Sequence, residues 1–81
     1  MKKKLIAGNW KMNGSSASNE ALAKALAAGM DGKDCLVAVC VPAPYLGQVQ
    51  ALVANTGVDL GAQDLSQHES GAYTGEVSAV M

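Results

Sequence analysis

One lysine stands just past a short apolar run, in Gly8-Asn9-Trp10-Lys11-Met12-Asn13-Gly14. A lysine ammonium is a mobile point charge suited to a phosphate or a developing oxyanion. Asn9 beside it offers both a hydrogen-bond donor and an acceptor. A second group, Gly61-Ala62-Gln63-Asp64, combines small residues, which admit a neighbouring layer, with an amide that can orient a neighbour. A third, Gly71-Ala72-Tyr73-Thr74-Gly75-Glu76, brackets a Tyr-Thr pair with glycines. Its apolar body and polar tip suit a contact arm. Each group has an ordinary alternative: a solvated lysine with a turn at Asn13-Gly14, a polar strand end, and a surface loop.

Other chemistries find no support. The single histidine, His68, has no identifiable partner for a nucleophilic triad, and no cysteine pair has ligand spacing, so no metal site is expected. Placed on one strand, Cys35 and Cys40 lie roughly 16 Å apart along it, too far for a disulfide. Both are read as free thiols, which suits a reducing cytoplasm. The glycines near Lys11 lack the spacing of a dinucleotide fingerprint, and no Walker-type GK[ST] is present.

The elements that must position these groups follow from apolar patterning. Leu5 to Trp10, Leu36 to Val41 and the shorter Val58 to Gln63 read as strands, with the continuous runs of strands buried on both faces. Between them lie two helical patterns. The first has Ser16 as N-cap, Glu20 in the first turn, and a stripe of Leu22, Ala25, Leu26 and Gly29. The second has Pro44 in its first turn, an apolar face of Leu46, Val49 and Val53, and Gly57 as the residue beyond the C-cap. Alternation of strand and helix predicts crossover units and a parallel sheet. A polar stretch from Asp64 to Glu76 follows, and Val77 to Met81 read as the opening of another helix.

Length and charge set the frame. Eighty-one residues with six lysines and seven acids, net −1, make at most one small domain and exclude a strongly basic nucleic-acid binder. No run approaches the ~20 apolar residues of a membrane span. The apolar run after Met1-Lys2-Lys3-Lys4 is too short for a secretory leader, so none is expected. All lysines lie at or before Lys33, and residues 34–81 carry five acids and no base, so each half is expected to find its charge partners elsewhere. Three parallel strands leave two open edges and too few helices to cover both faces. The sequence therefore reads as part of a larger unit, or as a chain that associates.

The stretch from Ala7 to Gly14 closely resembles the opening of the triosephosphate isomerase family. The likeness continues through Cys40-Val41-Pro42-Ala43-Pro44-Tyr45, Gly61-Ala62-Gln63-Asp64 and Ser66 to Ser78, in the family's order and spacing. It implies the first third of an eight-stranded (β/α) barrel, ordered β1-α1-β2-α2-β3-loop 3 with parallel strands, so residues 1–81 form an N-terminal segment of one incomplete barrel domain. It also implies interconversion of dihydroxyacetone phosphate and glyceraldehyde 3-phosphate through an enediolate, without a cofactor. The family is a standard worked example of tuned acid–base catalysis, with a glutamate base and a neutral histidine electrophile. Both come later than loop 3, so His68 is not that electrophile, and these 81 residues alone are expected to be inactive.

By the same resemblance, Lys11 is the electrostatic group that holds substrate and steadies the enediolate, and Asn9 binds beside it. Thr74 is the loop-3 tip that reaches a neighbouring subunit in the family's dimer. Met12, Asn13, Gln63, Tyr73 and Glu76 match interface or supporting positions. A cytoplasmic homo-oligomer acting on a triose phosphate, in glycolysis and gluconeogenesis, is the expectation, with no nucleic-acid or membrane partner. The rival reading is a non-catalytic βαβαβ module that self-associates through its sheet edges and the Tyr73-Thr74 loop.

Overall fold

The computed structural model describes residues 2–81. It runs β1 (Leu5–Asn9), α1 (Ser16–Ala28), β2 (Leu36–Val41), a 3-10 turn (Ala43–Tyr45), α2 (Leu46–Val53) and β3 (Val58–Ala62). The strands form one parallel sheet in the order β1-β2-β3, so the expected α/β alternation holds. Trp10 and Gln63 fall just outside β1 and β3, although Trp10 N–H still donates to the Cys40 carbonyl at 3.0 Å. Cys35 precedes β2 rather than lying on it, and both thiols are free.

Register explains the burial. Val37 pairs with Val58 and Val39 with Leu60, and Val41 lies two residues further along the same face. Val39, Val41 and Val58 form the core with Ala23 of α1 and Val49 and Val53 of α2. Both helices therefore cover this face. The opposite face carries Leu5 and Leu36 in one row, Ala7, Ala38 and Asp59 in the next, and Asn9, Cys40 and Gly61 in the last. No helix covers it. The expectation of strands buried on both faces thus fails for these residues. At the sheet edge every residue of β1 is exposed, Ile6 by 56 % even though it shares the helix-covered face.

Helix α1 departs from expectation in three ways. Its N-cap is Ser15, not Ser16. Ser15 Oγ accepts from Ser18 N–H at 3.1 Å while Ser18 Oγ accepts from Ser15 N–H at 3.0 Å, a reciprocal cap of two donors that otherwise lack partners. Glu20 consequently lies beyond the first turn and pairs with Lys24 at 2.8 Å. The buried face is Asn19 and Ala23, with Leu26 half-buried, as is Met30 just beyond the helix end. Leu22, Ala25 and Gly29 of the expected stripe are exposed. The helix turns a polar residue inward because that residue has a partner: Asn19 Nδ2 donates to Gln48 Oε1 of α2 at 3.0 Å.

The other end corrections are local. Pro44 lies in the 3-10 turn that leads into α2. Ala54 caps α2, and Asn55, with φ +63°, takes the left-handed position beyond it. Gly57, expected in that role, instead supplies φ +85° at the entry to β3. Val77 to Met81 form no helix: Ser78 bridges in parallel to Ser66, and Met81 N–H closes a turn on the Ser78 carbonyl at 3.2 Å.

Candidate functional site

Parallel strands put all their carboxyl ends on one edge of a sheet, the edge where such folds assemble ligand sites. Here that edge carries the row Asn9, Cys40 and Gly61, and just beyond it Lys11 and Gln63. Lys11 adopts φ +55°, a conformation that L-residues other than glycine rarely take. Such a residue costs on the order of 1–3 kcal/mol and persists only where its surroundings over-determine it. They do so on both sides of the residue. Asn9 Oδ1 accepts from Lys11 N–H at 2.8 Å, and Gln63 Nε2 donates to the Lys11 carbonyl at 2.9 Å. Gln63 also reaches the Cys40 carbonyl at 3.1 Å, so one amide ties the lysine backbone to the end of β2. With its backbone pinned in this way, the exposed Lys11 side chain projects from a fixed root.

The rest of this segment is anchored as well. Asn13 Nδ2 donates to the Trp10 carbonyl at 2.9 Å, closing the turn around Lys11 and Met12. Met12 is 96 % exposed, so it contributes nothing to packing within the chain. At the far end Tyr45 Oη donates to the Gly14 carbonyl at 3.0 Å, and Gln48 Nε2 donates to the Ser16 carbonyl at 2.7 Å. Asn9, Trp10, Asn13, Gly14, Ser18, Asn19 and Leu22 line an open groove of about 440 Å³.

The third group forms a separate body. Ser66 N–H donates to the Val77 carbonyl at 2.8 Å, and the Ser66–Ser78 bridge closes the neck of a compact loop. Within it the His68 and Tyr73 rings stack, centroids 4.0 Å apart and planes within 3°. Glu76 N–H donates to the Tyr73 carbonyl at 3.0 Å, so Thr74 and Gly75 form the tip, with Gly75 at φ +90° as the third turn position requires. A second concavity, about 380 Å³, opens among Ser66, His68, Tyr73, Glu76 and Met81.

The structure therefore gathers Asn9, Lys11, Asn13 and Gln63 at one edge. It places Tyr73, Thr74 and Glu76 together on the arm, with no hydrogen bond joining the two groups among the described residues. Sequence reasoning missed Asn19, Tyr45 and Gln48. Each looks like an ordinary polar or aromatic surface residue, and only the approach of α1 to α2 brings them to the lysine segment. Among the described residues no cluster of side chains fits a metal ion, and no helix is long and apolar enough to cross a membrane.

A family model for triosephosphate isomerase matches residues 4–81. Over its whole length the chain is 64 % identical to the triosephosphate isomerase of Albidiferax ferrireducens and 57 % identical to that of Herminiimonas arsenicoxydans, covering 33 % of each. It is 60 % identical to the Delftia acidovorans enzyme, again covering 33 % of it. The chain thus spans about a third of the length of the curated relatives it matches.

Proposed function

The chain belongs to the triosephosphate isomerase family, and from that premise we propose that it supplies the amino-terminal, lysine-bearing third of a (β/α) barrel that interconverts dihydroxyacetone phosphate and glyceraldehyde 3-phosphate. In this reading residues 1–81 are one segment of a single barrel domain. Lys11 holds the substrate's anionic oxygens and stabilises the enediolate that forms when a proton leaves the carbon next to the carbonyl. Asn9 orients beside it. A fixed cation aimed at developing negative charge lowers a barrier because no reorganisation is needed at the moment of reaction. The observation that carries the proposal is the pinned Lys11 backbone, at φ +55° between Asn9 and Gln63 on the carboxyl edge of a parallel sheet.

Proton transfer itself needs a base and an electrophile, and the described residues offer neither beside Lys11. His68, the single imidazole, is stacked on Tyr73 in the arm. The segment alone is therefore inactive in this proposal. The Tyr73–Glu76 tip, with Met12 and Asn13, is the surface through which a cytoplasmic homo-oligomer assembles.

Grafting residues 1–81 onto the remaining two thirds of the Albidiferax ferrireducens enzyme tests this. The graft is expected to isomerise glyceraldehyde 3-phosphate, and Lys11→Ala to lower its kcat/KM by about 10²–10³-fold or more, the scale of losing one oxyanion-stabilising group. The 81-residue chain alone is expected to show no turnover. A folded but inactive graft, or an active one indifferent to Lys11→Ala, overturns the proposal.

A further inference from the structure

Asn9 and Gln63 fix the Lys11 peptide from the strand side, but a loop held at one end still pivots. The far end of the segment meets a second set of groups that no strand supplies. Tyr45 Oη donates to the Gly14 carbonyl at 3.0 Å, and Gln48 Nε2 donates to the Ser16 carbonyl at 2.7 Å. Asn19, 1 % exposed, donates to Gln48 Oε1 at 3.0 Å, which fixes the face that the Gln48 amide turns toward Ser16. The fit around Gly14 is close. A Cβ there would stand 2.7 Å from Asn19 Oδ1 and 2.9 Å from Tyr45 Cε2, and Gly14 holds φ +135°. The Tyr45 ring packs against the core, so its hydroxyl is carried on a fixed body rather than a free side chain.

From these contacts we propose that Tyr45, with Asn19 and Gln48 behind it, is a positioning device for Lys11: it latches the Gly14 end of the lysine segment to the 3-10 turn that leads into α2 and so helps set where the ammonium stands. The proposal rests on the assignment of Lys11 above. Tyr45 touches no substrate. It acts by closing off the second way in which the Lys11 turn could relax. A left-handed lysine persists only where several contacts demand it, and removing one demand lets the side chain sample positions away from the reacting atoms. Misplacement on that scale is costly for catalysis even where folding is intact.

Tyr45→Phe in the grafted enzyme keeps the ring and removes only the hydroxyl. The expected result, at a temperature where melting shows the sample fully folded, is a fall in kcat/KM of about 5–20-fold, with kcat carrying part of it. In a Lys11→Ala background the same substitution is expected to change the residual rate less than twofold, because the latch acts through the lysine. A structural role alone predicts otherwise: a lower Tm with kcat and KM unchanged, or equal losses with and without the lysine. Either result overturns the latch. Should Tyr45→Phe fold poorly, Gln48→Glu, which keeps the side-chain length but loses the donor to Ser16, carries the same cycle and the same criteria. A parent graft that folds but does not turn over defeats the functional assignment instead, so the two failures are distinguishable.

Discussion

The lysine segment from Trp10 to Ser15, which joins β1 to α1, and the arm from Ser66 to Ser78 both lie beyond the carboxyl end of a strand, yet they are held in opposite ways. The lysine segment is held largely from outside. Its partners come from the residue after β3, from the 3-10 turn and from α2, besides the local bonds of Asn9 and Asn13. The arm is held by itself: its neck bridge, its tip turn and its aromatic stack all join residues between Ser66 and Ser78. A group whose position matters to a fraction of an ångström must borrow rigidity from a framework. The arm, proposed above to meet another chain, can carry its own fold, and a contact segment gains by arriving pre-ordered.

The largest effect expected from this contrast compares two glycines. Gly14 and Gly75 both hold positive φ, at +135° and +90°. A Cβ at Gly75 meets nothing within 4 Å, whereas one at Gly14 strikes Asn19 and Tyr45. Gly75→Ala should therefore cost only backbone strain, about 1–2 kcal/mol. Gly14→Ala should add an overpacking term of about 1–3 kcal/mol. Urea denaturation of the two grafted variants reads the difference. Equal costs would mean that the Gly14 end is not tightly held, and the contrast between the two loops would dissolve.

A smaller effect separates propagation from containment. Asn19→Ala leaves the Gln48 carbonyl oxygen without its buried donor, at about 1–3 kcal/mol. It should also shift the backbone amide resonances of Asn9 to Gly14, since the Ser16 anchor loosens with Gln48. Tyr73→Ala removes the stack on His68, about 0.5–1.5 kcal/mol. It should shift resonances only between Ser66 and Ser78. Shifts in Asn9 to Gly14 after Tyr73→Ala would show that the arm is not self-contained.

The sequence made the strand–helix order and the three chemical groups legible, because apolar runs, glycines and a lone lysine past a strand are local signals. What it hid was relational. Apolar counting placed the buried stripe of α1 on Leu22 and Ala25, but Asn19 points inward because Gln48, twenty-nine positions later, awaits its amide. Gln63 read equally well as a polar strand end, and its two bonds to Lys11 and Cys40 depend on the register of three strands. In place of the helix expected from Val77, the backbone bridges from Ser78 to Ser66, twelve positions earlier, and then turns. Continuous apolar runs predicted strands covered on both faces. In these residues one face stays uncovered, with Leu5 and Leu36 exposed on it.

The smallest expected effect lies in neither loop and sets the baseline for both. Glu20 and Lys24 are exposed one helical turn apart, and the Lys24 hydrogen bond, aided by its charge, holds the Glu20 carboxyl below the usual glutamate range. A carboxyl lowered in the folded state contributes its stability above the unfolded value and loses it as pH falls through the folded one. Any contribution from this pair is therefore complete at neutral pH and disappears in acid. Because both groups stand in water, it should be slight: Glu20→Gln is expected to shift Tm at neutral pH by no more than about 2 °C. The sharper reading is an NMR titration of the Glu20 carboxyl, whose midpoint should rise when Lys24 becomes Gln. An unmoved midpoint would mean that the pair does not form in solution. A shift in Tm as large as that of Gly14→Ala would mean that a surface contact rivals the anchored lysine segment, and the distinction between held and merely adjacent residues would then fail.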